Sequence, residues 1–157
     1  MNERVEGLVA RLRKGIEKTA AIFGALGPTQ WEVVVYPGPP AWTVRDLLAH
    51  FLSAEEGLLG LVQEIAAGGR GAPPDFDYNA YNAQEQERLA GIPPQRLLAD
   101  LQAARERTIA WVERLSEAEL ERRGFHPALG EVTVEEFITA IYGHQLMHMR
   151  ELASRLV

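Results

Sequence analysis

Residues 141–152, IYGHQLMHMREL, carry two of the four histidines of the chain and decide how the rest is expected to fold. His144 and His148 are four residues apart, so on an α-helix they lie one turn apart on the same face. Two imidazoles placed in this way can bind one divalent metal ion. The spacing alone is a weak signal, because two histidines on a helix are often ordinary polar residues near a surface. A third ligand from another helix would make the interpretation specific.

The expected third ligand is His50, at the end of the segment WTVRDLLAH (residues 42–50). Thr43 is predicted to cap a helix here, and Asp46, three residues later, completes a capping box. The helix is expected to continue to about Ala67, before two consecutive glycines. His50 therefore lies within a helix whose start is well marked in the sequence.

Apolar residues at helical spacing predict a bundle of long helices. Almost no pattern in the sequence indicates β-strands. Residues 33–36 and 122–131 are expected to be irregular, because no other segment is predicted to pair with them as a strand. The sequence thus predicts a single all-α domain, residues 1–157, built as a four-helix bundle. Its long helices are predicted at residues 2–26, 43–67, 94–115 and 133–156, with short helical segments at 79–90 and 116–120.

The depths of the histidines predict the direction of the helices. His50 lies seven residues after Thr43, or about 10 Å along the helix at roughly 1.5 Å per residue. His148 lies a similar distance, about 12 Å, from the other end of the fourth helix. The histidines meet if the second and fourth helices are antiparallel. The long segment 68–93 can cross the bundle and give this up-down-down-up arrangement.

Composition narrows the chemistry that the chain can perform. Cysteine is absent, so a metal site must use nitrogen and oxygen ligands, and any thiol must come from outside. The formal net charge of −6 argues against nucleic acid as a partner. No apolar run approaches the roughly 20 residues that span a bilayer. The charged N-terminus does not resemble a signal or transit peptide, so we expect no membrane partner and a cytoplasmic location.

Small residues surround the predicted histidine site. Ser53, Ala54 and Gly57 follow His50 on its face of the helix, and Ala140 lies one turn before the HxxxH pair. A packed core would favour leucine at such positions, so the pattern is typical of a ligand cavity. Close helix packing, which also uses small residues, is an equal alternative.

Four other residues are candidates for catalysis or substrate binding. Asp46 lies four residues before His50 and could orient it, although its role as a helix cap explains it as well. Glu151 could be a general base, with an ordinary surface charge as the alternative. Tyr81 and Asn82 lie in the crossover segment and could cover the site.

Three further polar residues are not expected to contribute to the site. Glu55 and Glu56 follow His50 by five and six residues, so they are predicted to form a solvated helix face. His126 precedes a proline in a predicted loop and is expected at the surface.

The segment WTVRDLLAH, followed about ninety residues later by HQLMH, resembles the DinB/YfiT-like superfamily of metal-binding four-helix bundles. The segments LGPTQWE (26–32) and LSEAEL (115–120) extend the resemblance over nearly the whole chain. It implies the crossed bundle described above, and His50, His144 and His148 as ligands of a divalent metal, zinc or nickel. The family also makes a homodimer an expectation.

Two functions remain open from the sequence. The first is a metal-dependent enzyme that activates water for hydrolysis, or the sulfur of a thiol such as bacillithiol, mycothiol or glutathione, to act on a small molecule. The resemblance implies such thiol-dependent isomerases and S-transferases as well as hydrolases. The second is a non-catalytic metal-binding or small-molecule-binding protein linked to stress.

Overall fold

The computed structural model describes residues 1–156 and contains six helices within that range. The four long helices form an all-α four-helix bundle, which confirms the predicted fold class. The helices in chain order are α1 (Glu3–Gly24), α2 (Val44–Ala66), α3 (Tyr78–Arg88), α4 (Pro94–Val112), α5 (Glu117–Leu120) and α6 (Val134–Leu156). The bundle consists of α1, α2, α4 and α6, while α3 lies in the crossover.

Contacts between helix ends show which helices are parallel. Arg45, at the start of α2, donates a hydrogen bond of 3.0 Å to the carbonyl of Ile92, just before α4. Helices α2 and α4 therefore run in the same direction. Arg4, at the start of α1, pairs at 2.6 Å with Glu135, at the start of α6. Helices α1 and α6 are likewise parallel.

The crossover produces the predicted up-down-down-up topology. Helix α3 runs back along α2, because the side chain of Gln86 near its end donates at 2.8 Å to the carbonyl of Asp46 near the start of α2. Arg122, a short distance before α6, donates to the carbonyl of Ala66 at the end of α2. Helix α6 therefore begins where α2 ends, and the two are antiparallel.

Two short hairpins show that the expectation of irregular structure at residues 33–36 and 122–131 was wrong. In the first, β1 (Val34–Tyr36) pairs with β2 (Trp42–Thr43), and in the second, β3 (Arg123–His126) pairs with β4 (Gly130–Thr133). Each strand finds its partner within a few residues, so neither needs a larger sheet. The first hairpin places β1 beside α6.

The start of α2 has the predicted capping box. Thr43 accepts a hydrogen bond from the backbone N–H of Asp46, and the Asp46 carboxylate accepts one from the backbone N–H of Thr43 at 2.9 Å. Ser116 and Glu119 form the same reciprocal box at the start of α5. Such caps satisfy helix N–H groups that lack partners within the helix. They fix where α2 begins, and therefore where His50 lies.

The apolar core forms two clusters, one toward each end of the bundle. Between them lies a buried polar layer centred on Glu55, which is 1% exposed. Arg105 donates two hydrogen bonds of 2.8 Å to its carboxylate. Thr108 adds another at 2.8 Å and Gln145 one at 3.3 Å. The prediction of a solvated face was wrong for Glu55, because its partner lies on α4, while Glu56 is exposed as expected.

Candidate metal centre

His50, His144 and His148 come together between α2 and α6. The Nε2 atom of His144 lies 3.2 Å from that of His50 and 3.1 Å from that of His148. One ring nitrogen from each histidine lies within 4.8 Å of the other two. His50 is buried, with 7% of its surface exposed, and the other two are half-buried. The antiparallel arrangement of α2 and α6 and the one-turn spacing on α6 together produce this cluster.

The three imidazoles do not satisfy one another by hydrogen bonding alone. A neutral imidazole nitrogen is either a donor or an acceptor, so the Nε2 atom of His144 makes two contacts with at most one hydrogen of its own. A shared cation would accept all three lone pairs. Zinc–nitrogen bonds of about 2.0–2.1 Å in a tetrahedral site place ligand nitrogens about 3.3–3.4 Å apart. The observed separations of 3.1 and 3.2 Å are close to that value, so these residues fit a metal ion.

Burial keeps the three histidines neutral. Burial, followed by repulsion from His144 and His148, lowers the pKa of His50 to about 3. The pKa of His144 is lowered to about 4, again chiefly by burial. Burial also lowers the pKa of His148. Metal ligation requires neutral imidazole, so the site is ready to bind a cation at neutral pH.

Aromatic side chains form one wall of the cluster. The ring of Trp42, on β2, lies 5.0 Å from the ring of His50 between centroids. The ring of Phe51 lies 5.9 Å from that of His148. Both aromatic groups limit the access of water to the imidazoles. The first hairpin is therefore part of the site.

Tyr36, on β1, contacts the metal-binding candidate on α6. Its Oη atom lies 2.6 Å from Nδ1 of His148 and donates a hydrogen bond to the carboxylate of Glu151. Burial, and then the contact with Glu151, raise the pKa of Tyr36 above its usual value. Tyr36 was not among the candidates predicted from the sequence, where its only signal is its position at the end of the apolar run 33–36, close to the start of α2.

Two of the remaining candidates have hydrogen-bond partners other than the three histidines. Asp46 is engaged in the cap of α2 and in an ion pair of 3.4 Å with Arg45. Tyr81 donates at 3.3 Å to Glu85, within α3. Asn82 is half-buried on the same helix. The structure therefore favours the capping role of Asp46, and a catalytic role for these residues stays a prediction.

The small residues near the histidines have different surroundings. A Cβ atom added to Gly57 would lie 2.7 Å from the Oη atom of Tyr81. The space beside Gly57 is thus occupied by α3, so the expectation of a ligand cavity there was wrong and the close-packing alternative holds. A Cβ added to Gly143 would meet nothing within 4 Å.

His126 is not the surface residue that the sequence suggested. It is half-buried, and its ring lies 4.7 Å from that of Phe137 between centroids. Its Nδ1 atom accepts backbone hydrogen bonds from Ala128 and Leu129 at 3.0 and 3.2 Å. The hairpin of β3 and β4, which was expected to be an irregular loop, holds the ring in this position.

An up-down-down-up bundle with three clustered histidines defines a class of helical proteins with a candidate metal centre. The family model of the DinB superfamily matches residues 11–152. The chain belongs to this superfamily. Comparison of the sequence with curated proteins gives no significant match.

Solved structures share this fold at low sequence identity. YfiT from Bacillus subtilis, described as a probable metal-dependent hydrolase with an unusual four-helix bundle topology, is 18% identical with a TM-score of 0.74, over 99% of this chain and 89% of its own. The mycothiol-dependent maleylpyruvate isomerase is 16% identical with a TM-score of 0.76, over 97% of this chain but only 63% of its own. At these identities the similarity shows the fold alone.

A third structural neighbour corrects the prediction about nucleic acid. The colibactin self-resistance protein ClbS, 17% identical with a TM-score of 0.72 over 97% of this chain and 94% of its own, was solved in complex with a dsDNA. Net charge therefore does not exclude nucleic acid as a partner for this fold, because it sums over the whole surface and says nothing about a local patch. The exclusion of nucleic acid from the sequence was wrong. Within residues 1–156, no helix is long and apolar enough to cross a membrane.

Proposed function

We propose that this chain is a single-domain, metal-dependent enzyme in which His50, His144 and His148 bind one divalent cation through their Nε2 atoms. The observation that carries the proposal is the convergence of these atoms at 3.1 and 3.2 Å. The ring nitrogens are neutral at pH 7 because burial lowers their pKa values. Zinc and nickel are the proposed metals, since imidazole suits both.

Three protein ligands leave a coordination position free for chemistry. Catalytic zinc sites combine three protein ligands with water or substrate, whereas structural sites usually fill all four positions with protein. When bound, such a metal supplies a Lewis acid that can activate water or a thiol. The chain itself would hold the three nitrogens in place and, through Trp42 and Phe51, limit the access of bulk water.

The proposed substrate is a small molecule that is altered by hydrolysis, or by thiol-dependent S-transfer or isomerisation. YfiT is described as a probable metal-dependent hydrolase, and the isomerase is mycothiol-dependent. Both descriptions belong to those proteins and support the two proposed reaction classes here. A chain without cysteine would obtain its thiol from a low-molecular-weight cosubstrate. The proposed location is the cytoplasm.

Elemental analysis tests the metal site directly. The purified chain should contain about one divalent metal per chain after incubation with zinc or nickel and removal of the excess. His50→Ala and His148→Ala should lose it. His126→Ala is the matched control, because this histidine lies on β3 and outside the cluster, and it should retain the metal. Equal metal content in all four proteins would refute the assignment.

A reaction screen then separates the functional classes. The metal-loaded chain would be tested with glutathione, mycothiol and bacillithiol, each paired with an electrophile, and separately with activated esters and amides. Thiol-dependent turnover that disappears in His148→Ala supports S-transfer or isomerisation. Turnover without a thiol supports hydrolysis. Metal binding without turnover in any arm favours the non-catalytic alternative.

A further inference from the structure

The first hairpin contributes a polar contact to the histidine cluster. Tyr36 lies at the end of β1, while His148 and Glu151 lie three residues apart on α6, so their side chains occupy the same side of that helix. The Oη atom of Tyr36 lies between Nδ1 of His148, at 2.6 Å, and the carboxylate of Glu151. All three side chains are half-buried.

Glu151 determines the direction of these hydrogen bonds. An ionised carboxylate carries no hydrogen and only accepts. Tyr36 has a single hydroxyl hydrogen and gives it to Glu151. Its oxygen must therefore accept from His148, which requires the hydrogen of the neutral imidazole to be on Nδ1. The lone pair of His148 is then on Nε2, the atom that faces His144 at 3.1 Å.

We propose that Tyr36 and Glu151 are positioning residues that hold His148 in the Nδ1–H tautomer, with its Nε2 lone pair directed at the metal site. The inference rests on the proposed function, because it assigns a role toward the same cation. It adds a residue from outside the helices to the site. Hydrogen bonds to the second nitrogen of a metal-binding histidine commonly fix its tautomer and ring orientation and raise its affinity for the metal.

His50, the most buried of the three histidines, has no comparable hydrogen bond to its second ring nitrogen within residues 1–156. Nδ1 of His50 is buried without a hydrogen-bond partner in the part of the chain that the structure describes. Its ring is instead held by packing against Trp42, which also contacts Tyr36 at 6.3 Å between ring centroids. The first hairpin therefore supports His50 by packing and His148 by a hydrogen bond. Loss of the Tyr36 hydroxyl alone should affect His148 specifically.

Nitrogen-15 NMR of the metal-free chain tests the tautomer without reference to metal or activity. Two-bond ¹⁵N–¹H correlations at neutral pH should show His148 protonated at Nδ1 in the wild type. Tyr36→Phe and Glu151→Gln should give a mixture of tautomers, since Phe has no hydroxyl and Gln can donate to Tyr36. A wild-type His148 protonated at Nε2, or an unchanged tautomer in both variants, would overturn the proposal.

Metal affinity provides the second measurement. Competition of the chain with a chromophoric chelator for Zn²⁺ should give Kd values about 10–100-fold higher for Tyr36→Phe and Glu151→Gln than for the wild type. The double variant should resemble Tyr36→Phe alone, because the two residues act as one chain of hydrogen bonds. Fully additive losses, or no loss in either single variant, would contradict the proposal.

Tyr142→Phe is the matched control. Tyr142 is also on α6, but its hydroxyl accepts a hydrogen bond of 3.4 Å from Arg11 on α1, away from the histidines. The Kd of the Tyr142→Phe variant for Zn²⁺ should equal that of the wild type. The Tm values of all the metal-free variants should also remain close to each other. A loss of affinity that follows Tm, with the tautomer unchanged, would indicate a merely structural role for Tyr36. Failure of the wild type to bind Zn²⁺ would refute the proposed function. The NMR experiment on the metal-free chain would still test the tautomer of His148, because it does not depend on metal binding.

Discussion

Two polar clusters lie inside this bundle, and they differ in how completely the protein satisfies them. The Glu55 carboxylate accepts hydrogen bonds from Arg105, Thr108 and Gln145, and Arg105 also donates at 2.9 Å to a main-chain carbonyl of α1. The three histidines instead direct their Nε2 atoms at one another. Protein donors satisfy the Glu55 carboxylate, and in the part of the chain that the structure describes Oε1 of Gln145 is the one buried side-chain atom of the first cluster without a partner. The histidine cluster instead brings together three ring nitrogens that suit a shared cation.

This difference indicates separate roles for the two clusters, although they contain residues that are adjacent in the sequence. Gln145 bonds to Glu55, and the adjacent His144 belongs to the histidine site. The buried ion pair of Glu55 and Arg105 joins α2 and α4, whereas the three neutral imidazoles form a candidate cation site. We therefore expect mutations in the first cluster to change stability and mutations in the second to change metal binding.

The largest expected effect is on stability, from Arg105→Met. The substitution leaves the Glu55 carboxylate buried without its charged partner, which typically costs about 3–5 kcal/mol. Urea denaturation of the metal-free chain should show this loss in the free energy of unfolding. The metal content of the folded fraction should remain that of the wild type.

The double variant Glu55→Leu/Arg105→Met is the control for this effect. It removes both charges, and replacement of a buried ion pair by apolar groups is often neutral or stabilising. Most of the lost stability should return. A cost below about 1 kcal/mol for Arg105→Met alone would show that this ion pair does not support the fold.

The next effect belongs to the histidine cluster. Zn²⁺ at a free concentration of 100 times its Kd should raise the free energy of unfolding by about 2.7 kcal/mol, because it binds the folded chain. His144→Ala should remove this response, since its Nε2 atom contacts both other histidines. His126→Ala should respond as the wild type does. A response that persists in His144→Ala would place the metal elsewhere.

A smaller effect follows from pH in the metal-free chain. The pKa of His50 falls from about 6.5 in the unfolded chain to about 3 in the folded one. Below pH 6.5 the unfolded state therefore binds more protons, and stability decreases as the pH falls from 6.5 toward 3. Between pH 7 and 5.5, His50→Gln should lose about 1 kcal/mol less stability than the wild type. Equal losses in the two proteins would contradict the buried, neutral state of His50.

The sequence predicted the histidine cluster because local signals determine where its members lie. The capping box at Thr43 fixes the start of α2, and the HxxxH spacing fixes one face of α6. The length of the crossover then determined the relative direction of these helices. The convergence of the three side chains followed from these features, while the bound metal remains a prediction.

Other parts of the site depend on partners that no local pattern reveals. Glu55 is buried because Arg105, fifty residues away, lies opposite it on α4. Tyr36 reaches His148 because β1 pairs with β2 and is thereby held against α6. Neither residue belongs to a spacing motif. The environment predicted for Glu55 was therefore wrong, and Tyr36 was not predicted at all.

The smallest predicted effect tests whether the glycines near the histidines provide space for a ligand. Gly143→Ala should stabilise the chain by about 0.5–1 kcal/mol, because alanine favours the helix and its Cβ meets nothing within 4 Å. Gly57→Ala should lose this gain, because its Cβ would lie 2.7 Å from the Tyr81 hydroxyl. Tyr81→Phe should restore the gain, since the next ring atom lies 3.5 Å away. Unfolding in urea measures stability, and chelator competition measures Zn²⁺ affinity, which should not change. A weaker Zn²⁺ affinity in Gly143→Ala would instead show that the histidine cluster needs the open space beside this glycine.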